Sequence, residues 1–166
     1  MNSNLLFDFS VNKEKNNITV KREFAAEKKL VWAAWTNPEM LDEWWAPKPY
    51  KVTTKSMDFT VGGFWLYAMR GPEGDVHWCR ADYKSIDAEN NFSGLDAFCD
   101  EDGNITQNFP RSLWHNSFID KGEKTEVHIK IQYDSLADLE KIIELGFKEG
   151  FTMALGNLDD YFAERK

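Results

Sequence analysis

The chain has 166 residues, 28 acidic against 20 basic, for a formal net charge of −8. A chain of this length buries roughly two thirds of its unfolded surface around one core, so a single domain spanning 1–166 is expected without metal or disulfide staples. The acids are spread through the sequence instead of forming a tail, which argues against a nucleic-acid or anionic-membrane surface.

The opening stretch, MNSNLLFDFSVNKEKNN, reaches Asp8 after only a few apolar residues and has no basic leader. No later run approaches the roughly 18 apolar residues of a membrane span, so the expected location is cytoplasmic with no membrane insertion. Leu5, Phe7, Phe9 and Val11 alternate with polar residues, NKEKNN turns the chain, and Ile18, Val20 and Phe24 alternate again. That pattern predicts an N-terminal hairpin whose first strand covers about 4–11.

Between Lys28 and Trp45 the spacing becomes helical, with Val31, Ala34 and Trp35 in one short helix and Met40, Leu41 and Trp44 in a second. Asn37-Pro38 separates them as an N-cap followed by a first-turn proline, and Ala46, standing before Pro47, is pushed out of helical geometry. Adjacent helical residues point about 100° apart, so Trp44 and Trp45 cannot both meet the same neighbour. Trp44 fits the row of Met40 and Leu41, which leaves one tryptophan for another task.

From Lys51 to Tyr133 the turn clusters GPEGD, DAENN, DEDGN and DKGEK delimit about five antiparallel strands. In the last of these Val127, Ile129, Ile131 and Tyr133 alternate with His128, Lys130 and Gln132, the pattern of a sheet wet on one side. GGFWLYAMR is apolar on both faces: Trp65, Tyr67 and Met69 form one, Phe64, Leu66 and Ala68 the other. If a helix covers the first set, the second must meet the N-terminal hairpin or another chain. In HWCRADY, His77, Cys79 and Ala81 share a face; where that face points inward, His77, Cys79 and Asp96 form a polar trio able to orient a ligand.

The closing segment reads as one long helix, with a capping-box-like start at Ser135 and Asp138 and apolar residues from Leu136 through Phe147 and Phe151 to Phe162. Gly146 and Gly150 lie four apart in it, in one row with Ala154, although each glycine costs about 1 kcal/mol in a helix interior. Either the helix approaches the sheet closely there, or room is left for a guest.

Reactive chemistry finds little support. Cys79 and Cys99 lack metal-ligand or redox spacing and read as apolar thiols in a reducing compartment. His77, His115 and His128 have no zinc-site spacing, no strained nucleophile turn accompanies a cysteine, and no phosphate-cradling glycine loop occurs. No metal, cofactor or catalytic residue is therefore assigned, and Glu140, Glu144 and Glu149 are spaced as a solvated helix face.

The order of parts, with VWAAWTNPEMLDEWW, the following Pro47, VGGFW, MRGPEG and FKEGFTMALGNLDDYF, resembles the bacterial relatives of the activator of the heat-shock protein 90 ATPase. These belong to the START-like (SRPBCC) superfamily, and the resemblance runs from Ile18 onward. It implies an α+β helix-grip fold: a curved antiparallel sheet around a long C-terminal helix, with two short helices after the first core strand and commonly an apolar cavity. It further implies that one of Trp44 and Trp45 plugs the core while the other lies near the cavity mouth or the outer surface. A chaperone partner rests on the family analogy alone.

Three readings follow. The first is a carrier or sensor enclosing a small apolar or aromatic molecule, lined by Trp65, Tyr67, Met69, His77, Cys79, Asp96, Phe147, Gly150 and Phe151. The second is an interaction module, a homodimer or chaperone-linked stress protein, using Trp45, Tyr50 and Phe64. The third is a small cyclase or dehydratase in which His77, Asp96 or Glu149 moves a proton; a cavity carboxylate or histidine without a local partner would mark it.

Overall fold

A hairpin opens the chain. In the computed structural model, which describes residues 5–107 and 109–164, Phe7–Asn12 (β1) pairs antiparallel with Asn17–Phe24 (β2). Asn12 Oδ1 tightens the turn by accepting from the backbone N–H groups of Glu14 and Lys15. Residue 4, where the expected first strand begins, lies outside the described residues.

Two short helices follow, Lys28–Thr36 (α1) and Pro38–Trp44 (α2). Asn37 divides them as its sequence context predicts: its side chain accepts from the N–H groups of Glu39 and Met40, and Pro38 occupies a position that needs no N–H.

Six strands come next, one more than the turn clusters predict: Lys51–Met57 (β3), Phe64–Arg70 (β4), Val76–Asp87 (β5), Asn91–Cys99 (β6), Ser112–Asp120 (β7) and Thr125–Gln132 (β8). The stretch from Lys51 to Arg70 is two strands because Gly62, at φ +93°, reverses the chain in a conformation that residues with a Cβ rarely adopt. All eight strands form one antiparallel sheet in the order β1-β2-β8-β7-β6-β5-β4-β3.

The C-terminal helix is not continuous. Leu136–Glu144 (α3) is capped by Ser135, whose Oγ accepts from the Asp138 N–H at 3.1 Å, and Phe147–Glu164 (α4) begins afresh. Gly146 stands between them at φ +89°, its N–H donating to the Ile143 carbonyl, the left-handed ending that stops a helix. The apolar spacing continues across this break, which is why the sequence reads as one helix. Gly146 is therefore a turn residue, and the bare stripe on α4 reduces to Gly150.

Phe151, Ala154, Leu155, Leu158 and Phe162 turn the buried face of α4 toward the sheet, where Ile18, Val20, Val127, Ile129 and Ile131 are fully buried. Asn157 ties α4 to the end of α2, donating from Nδ2 to the Ala46 carbonyl at 3.0 Å. An open antiparallel sheet gripping a long C-terminal helix, with two short helices inserted after the first core strand, is the helix-grip arrangement of an α+β protein. The outer face of β4 does not meet the N-terminal hairpin, which lies at the opposite edge of the sheet. Instead Arg80 lies over the Phe64 ring at 3.9 Å and donates to the Gly103 carbonyl, bringing the loop after β6 over that face.

Candidate functional site

A cavity of about 270 Å³ lies between the start of α4 and the inner face of the sheet. Alternation along the strands places Tyr67 and Met69 of β4, Cys79 of β5, Asp96 and Phe98 of β6, and Ser112 and Trp114 of β7 on its wall. Trp45 closes it from the end of α2, and Phe147, Gly150 and Phe151 of α4 form the opposite side. Leu145 is 57% exposed and also lines it, so the cavity reaches the surface at the turn between α3 and α4.

The walls are aromatic and the polar atoms few. Phe147 and Phe151 stack at 5.3 Å between centroids, and Trp114 meets both edge-on at 5.8 and 5.4 Å. Trp45 Nε1 donates to the Tyr67 hydroxyl at 3.0 Å. Burial holds the Tyr67 phenol well above its usual range and pushes the Cys79 thiol up to about 12, so both stay protonated and neutral at physiological pH.

Asp96 supplies the carboxyl group of the wall. Its carboxylate accepts from the Ser112 N–H at 2.9 Å, the Ser112 hydroxyl at 2.5 Å and Trp114 Nε1 at 2.9 Å. Burial raises its pKa, partly offset by these donors and by Arg111. A carboxylate so engaged is held in place by three donors.

Most of the residues singled out in the sequence converge here: Tyr67, Met69, Cys79, Asp96, Phe147, Gly150 and Phe151 all line the cavity. Trp65 stands one position further in, stacked on Tyr67 at 3.8 Å. His77 does not join them. It shares the inner row of β5, but at the strand's end, where it is exposed and bonds Asp75 at 3.2 Å, its ring facing Tyr50 at 5.9 Å.

The surface assignments change more. Trp44 is 1% exposed and donates to the Ala34 carbonyl, so it is the core plug, while Trp45 turns into the cavity wall instead of outward. Tyr50 is half-buried with its hydroxyl bonded to Asp75, and Phe64 is half-buried beneath Arg80. Ser112 and Trp114 escaped the sequence reading, although their alternation with exposed Leu113 and His115 marks an inward row.

Deeper in, a second chamber of about 50 Å³ adjoins the first, sharing Trp45, Tyr67, Asp96 and Trp114 with it. Trp35, Leu41, Trp65, Ala81, Tyr83, Phe92, Gly94 and Asn116 complete its wall. Trp35 Nε1 and Asn116 Oδ1 are buried with no hydrogen-bond partner.

An open sheet closed on a helix, with an aromatic-lined cavity between them, defines a START-like helix-grip protein. Residues 25–163 match the family described as Activator of Hsp90 ATPase homolog 1-like protein, and the chain belongs to that family. No curated protein is significantly similar to it. Among solved structures it resembles a Mycobacterium smegmatis protein at 27% identity and TM-score 0.86, covering 95% of this chain and 96% of that one. An Arthrobacter aurescens protein is also 27% identical, with TM-score 0.89 and coverage of 95% and 91%. A Silicibacter pomeroyi protein named AHSA1 shares the fold at 20% identity and TM-score 0.73, covering 90% and 99%. No helix among the described residues is long and apolar enough to cross a membrane.

Proposed function

We propose that the protein binds a small neutral aromatic or otherwise flat apolar molecule in the cavity between α4 and the sheet, as a carrier or sensor and without chemical transformation. The observation that carries this reading is the space of about 270 Å³ bounded by Trp45, Tyr67, Trp114, Phe147 and Phe151. Such a shape, mostly apolar with a few fixed dipoles, is the usual form of a small-molecule site. A guest of about 15 to 20 heavy atoms at roughly 0.3 kcal/mol per atom binds with about 4.5 to 6 kcal/mol, or about 40 to 500 µM.

Catalysis gains no support from the same geometry. The one carboxylate on the wall already accepts three hydrogen bonds from Ser112 and Trp114, His77 is outside, and the Cys79 thiol is held neutral. A general base or a nucleophile needs a free lone pair near neutral pH.

Thermal unfolding with a panel of neutral two- and three-ring aromatics tests the proposal. At ten times its Kd a guest adds about 1.4 kcal/mol to stability, a rise of about 3 to 6 °C for a chain of this size. Gly150→Leu, which extends a side chain from the cavity wall, should remove that rise. A wild-type melting temperature indifferent to every compound contradicts the proposal.

A further inference from the structure

Two polar side-chain atoms of residues lining the inner chamber are left without partners. Asn116 lies on the inner face of β7, between Trp114 and Phe118 in the inward row, opposite Phe92 of β6 and Ile129 of β8. It is 3% exposed, and its Oδ1 has no donor. Trp35, from α1, is also 3% exposed, and its Nε1–H has no acceptor. An unsatisfied buried polar atom is costly and uncommon, and here an orphan acceptor and an orphan donor border the same chamber. The wall around them is mostly rings, with the Tyr83 phenol, the Tyr67 hydroxyl and the Asp96 carboxyl, none of which bonds either atom.

The chamber adjoins the outer cavity, the two sharing four wall residues, and Gly94, which has no side chain, forms part of its wall. Its volume of about 50 Å³ suits a group the size of one or two waters. Resting on the ligand-binding reading above, we propose that the inner chamber is a polar subsite receiving a hydroxyl carried by the guest, whose aromatic body fills the outer cavity. A hydroxyl both donates and accepts, so it answers Asn116 Oδ1 and Trp35 Nε1–H together. A carbonyl serves only the indole. A carboxylate likewise has no proton for Asn116, and it brings a negative charge next to the Asp96 carboxyl, which borders both chambers. The subsite therefore selects neutral phenol-type guests over their ketone, acid and unsubstituted counterparts.

2-Naphthol and naphthalene, one hydroxyl apart, test this by titration of the intact protein, read through tryptophan emission. The wild type is expected to bind 2-naphthol about tenfold more tightly, one buried hydrogen-bonded group's worth of discrimination. Asn116→Leu and Trp35→Phe each remove one partner, and either should cut that preference to about twofold while leaving naphthalene affinity within a factor of about two. Trp35→Phe keeps an aromatic ring without the N–H and carries the test alone should Asn116→Leu fail to fold. Equal wild-type affinity for both compounds, or variants that weaken both equally, overturns the subsite while leaving the cavity reading intact. Binding of neither compound overturns both.

Discussion

The indole N–H of Trp45 donates to the Tyr67 hydroxyl across 3.0 Å, joining the end of α2 to the middle of β4 where the two chambers share a wall. Trp45 also stands at 5.2 Å from Trp44 and 5.7 Å from Trp114, so the pair is built into the aromatic core. Tyr67→Phe strands the indole N–H, and Trp45→Phe strips the phenol of its donor; each should cost about 1 to 3 kcal/mol in urea unfolding. The double variant should cost less than the sum by about 1 kcal/mol, because the second change removes a group the first has already orphaned. Strict additivity would mean that the bond contributes nothing to stability.

Two glycines four residues apart should respond with opposite signs. Gly146 has φ +89°, so Gly146→Ala forces a left-handed backbone on a residue with a Cβ and should destabilise by about 1 kcal/mol. Gly150 sits inside α4, where an added Cβ meets Pro47 Cγ at an ordinary 3.7 Å. Gly150→Ala should therefore stabilise by about 0.5 to 1 kcal/mol through helix propensity. Chemical denaturation of the two variants side by side checks this, and a shared sign would contradict the helix break at Gly146.

Legibility in the sequence followed what local patterns encode. The alternation of Val127, Ile129 and Ile131 identified β8, because one face of the sheet is wet, and Asn37-Pro38 located the α1–α2 boundary through cap chemistry that depends only on neighbours in sequence. The helix break at Gly146 stayed hidden because Ile143, Phe147 and Phe151 keep helical spacing across it. Which of Trp44 and Trp45 plugs the core depends on how α2 is rolled against α4, a tertiary matter. His77 has the correct parity for the cavity but lies beyond the helix's cover, and parity does not say where cover ends. Asn116 was detectable in principle, as a polar residue in the inward row of Trp114 and Phe118.

The Asp96 carboxyl gives the protein a specific pH signature. Burial raises its pKa on folding, so the folded state holds that proton more tightly than the unfolded chain does. Its contribution to stability is therefore full below the unfolded value of about 3.9 and is lost as pH rises through the folded value. Asp96→Asn cannot titrate there. The stability of the wild type relative to Asp96→Asn should decline as pH increases above about 4, a trend measurable by denaturation at a series of pH values. A difference that stays flat, or one that grows with pH, would contradict the burial assigned to this group.

Cys79 should be chemically silent in the native state. With its thiol pushed up to about 12 by burial, only about one molecule in ten thousand carries the thiolate at pH 8. Alkylation by iodoacetamide, located by peptide mass mapping, should reach Cys79 no faster than the protein unfolds. Rapid native labelling would show that the inner wall of the cavity is open to solvent and its thiol ionised.

The central claim is that the space between α4 and the sheet admits a guest. It is tested most directly by NMR titration of the wild-type protein with 2-naphthol, following backbone amides and tryptophan indole N–H signals. Saturable shifts concentrated on Trp45, Trp114, Phe147, Gly150 and Phe151 are predicted. Shifts that fail to saturate, or that gather instead around the surface groove of Trp32, Pro38 and Phe59, would contradict the account.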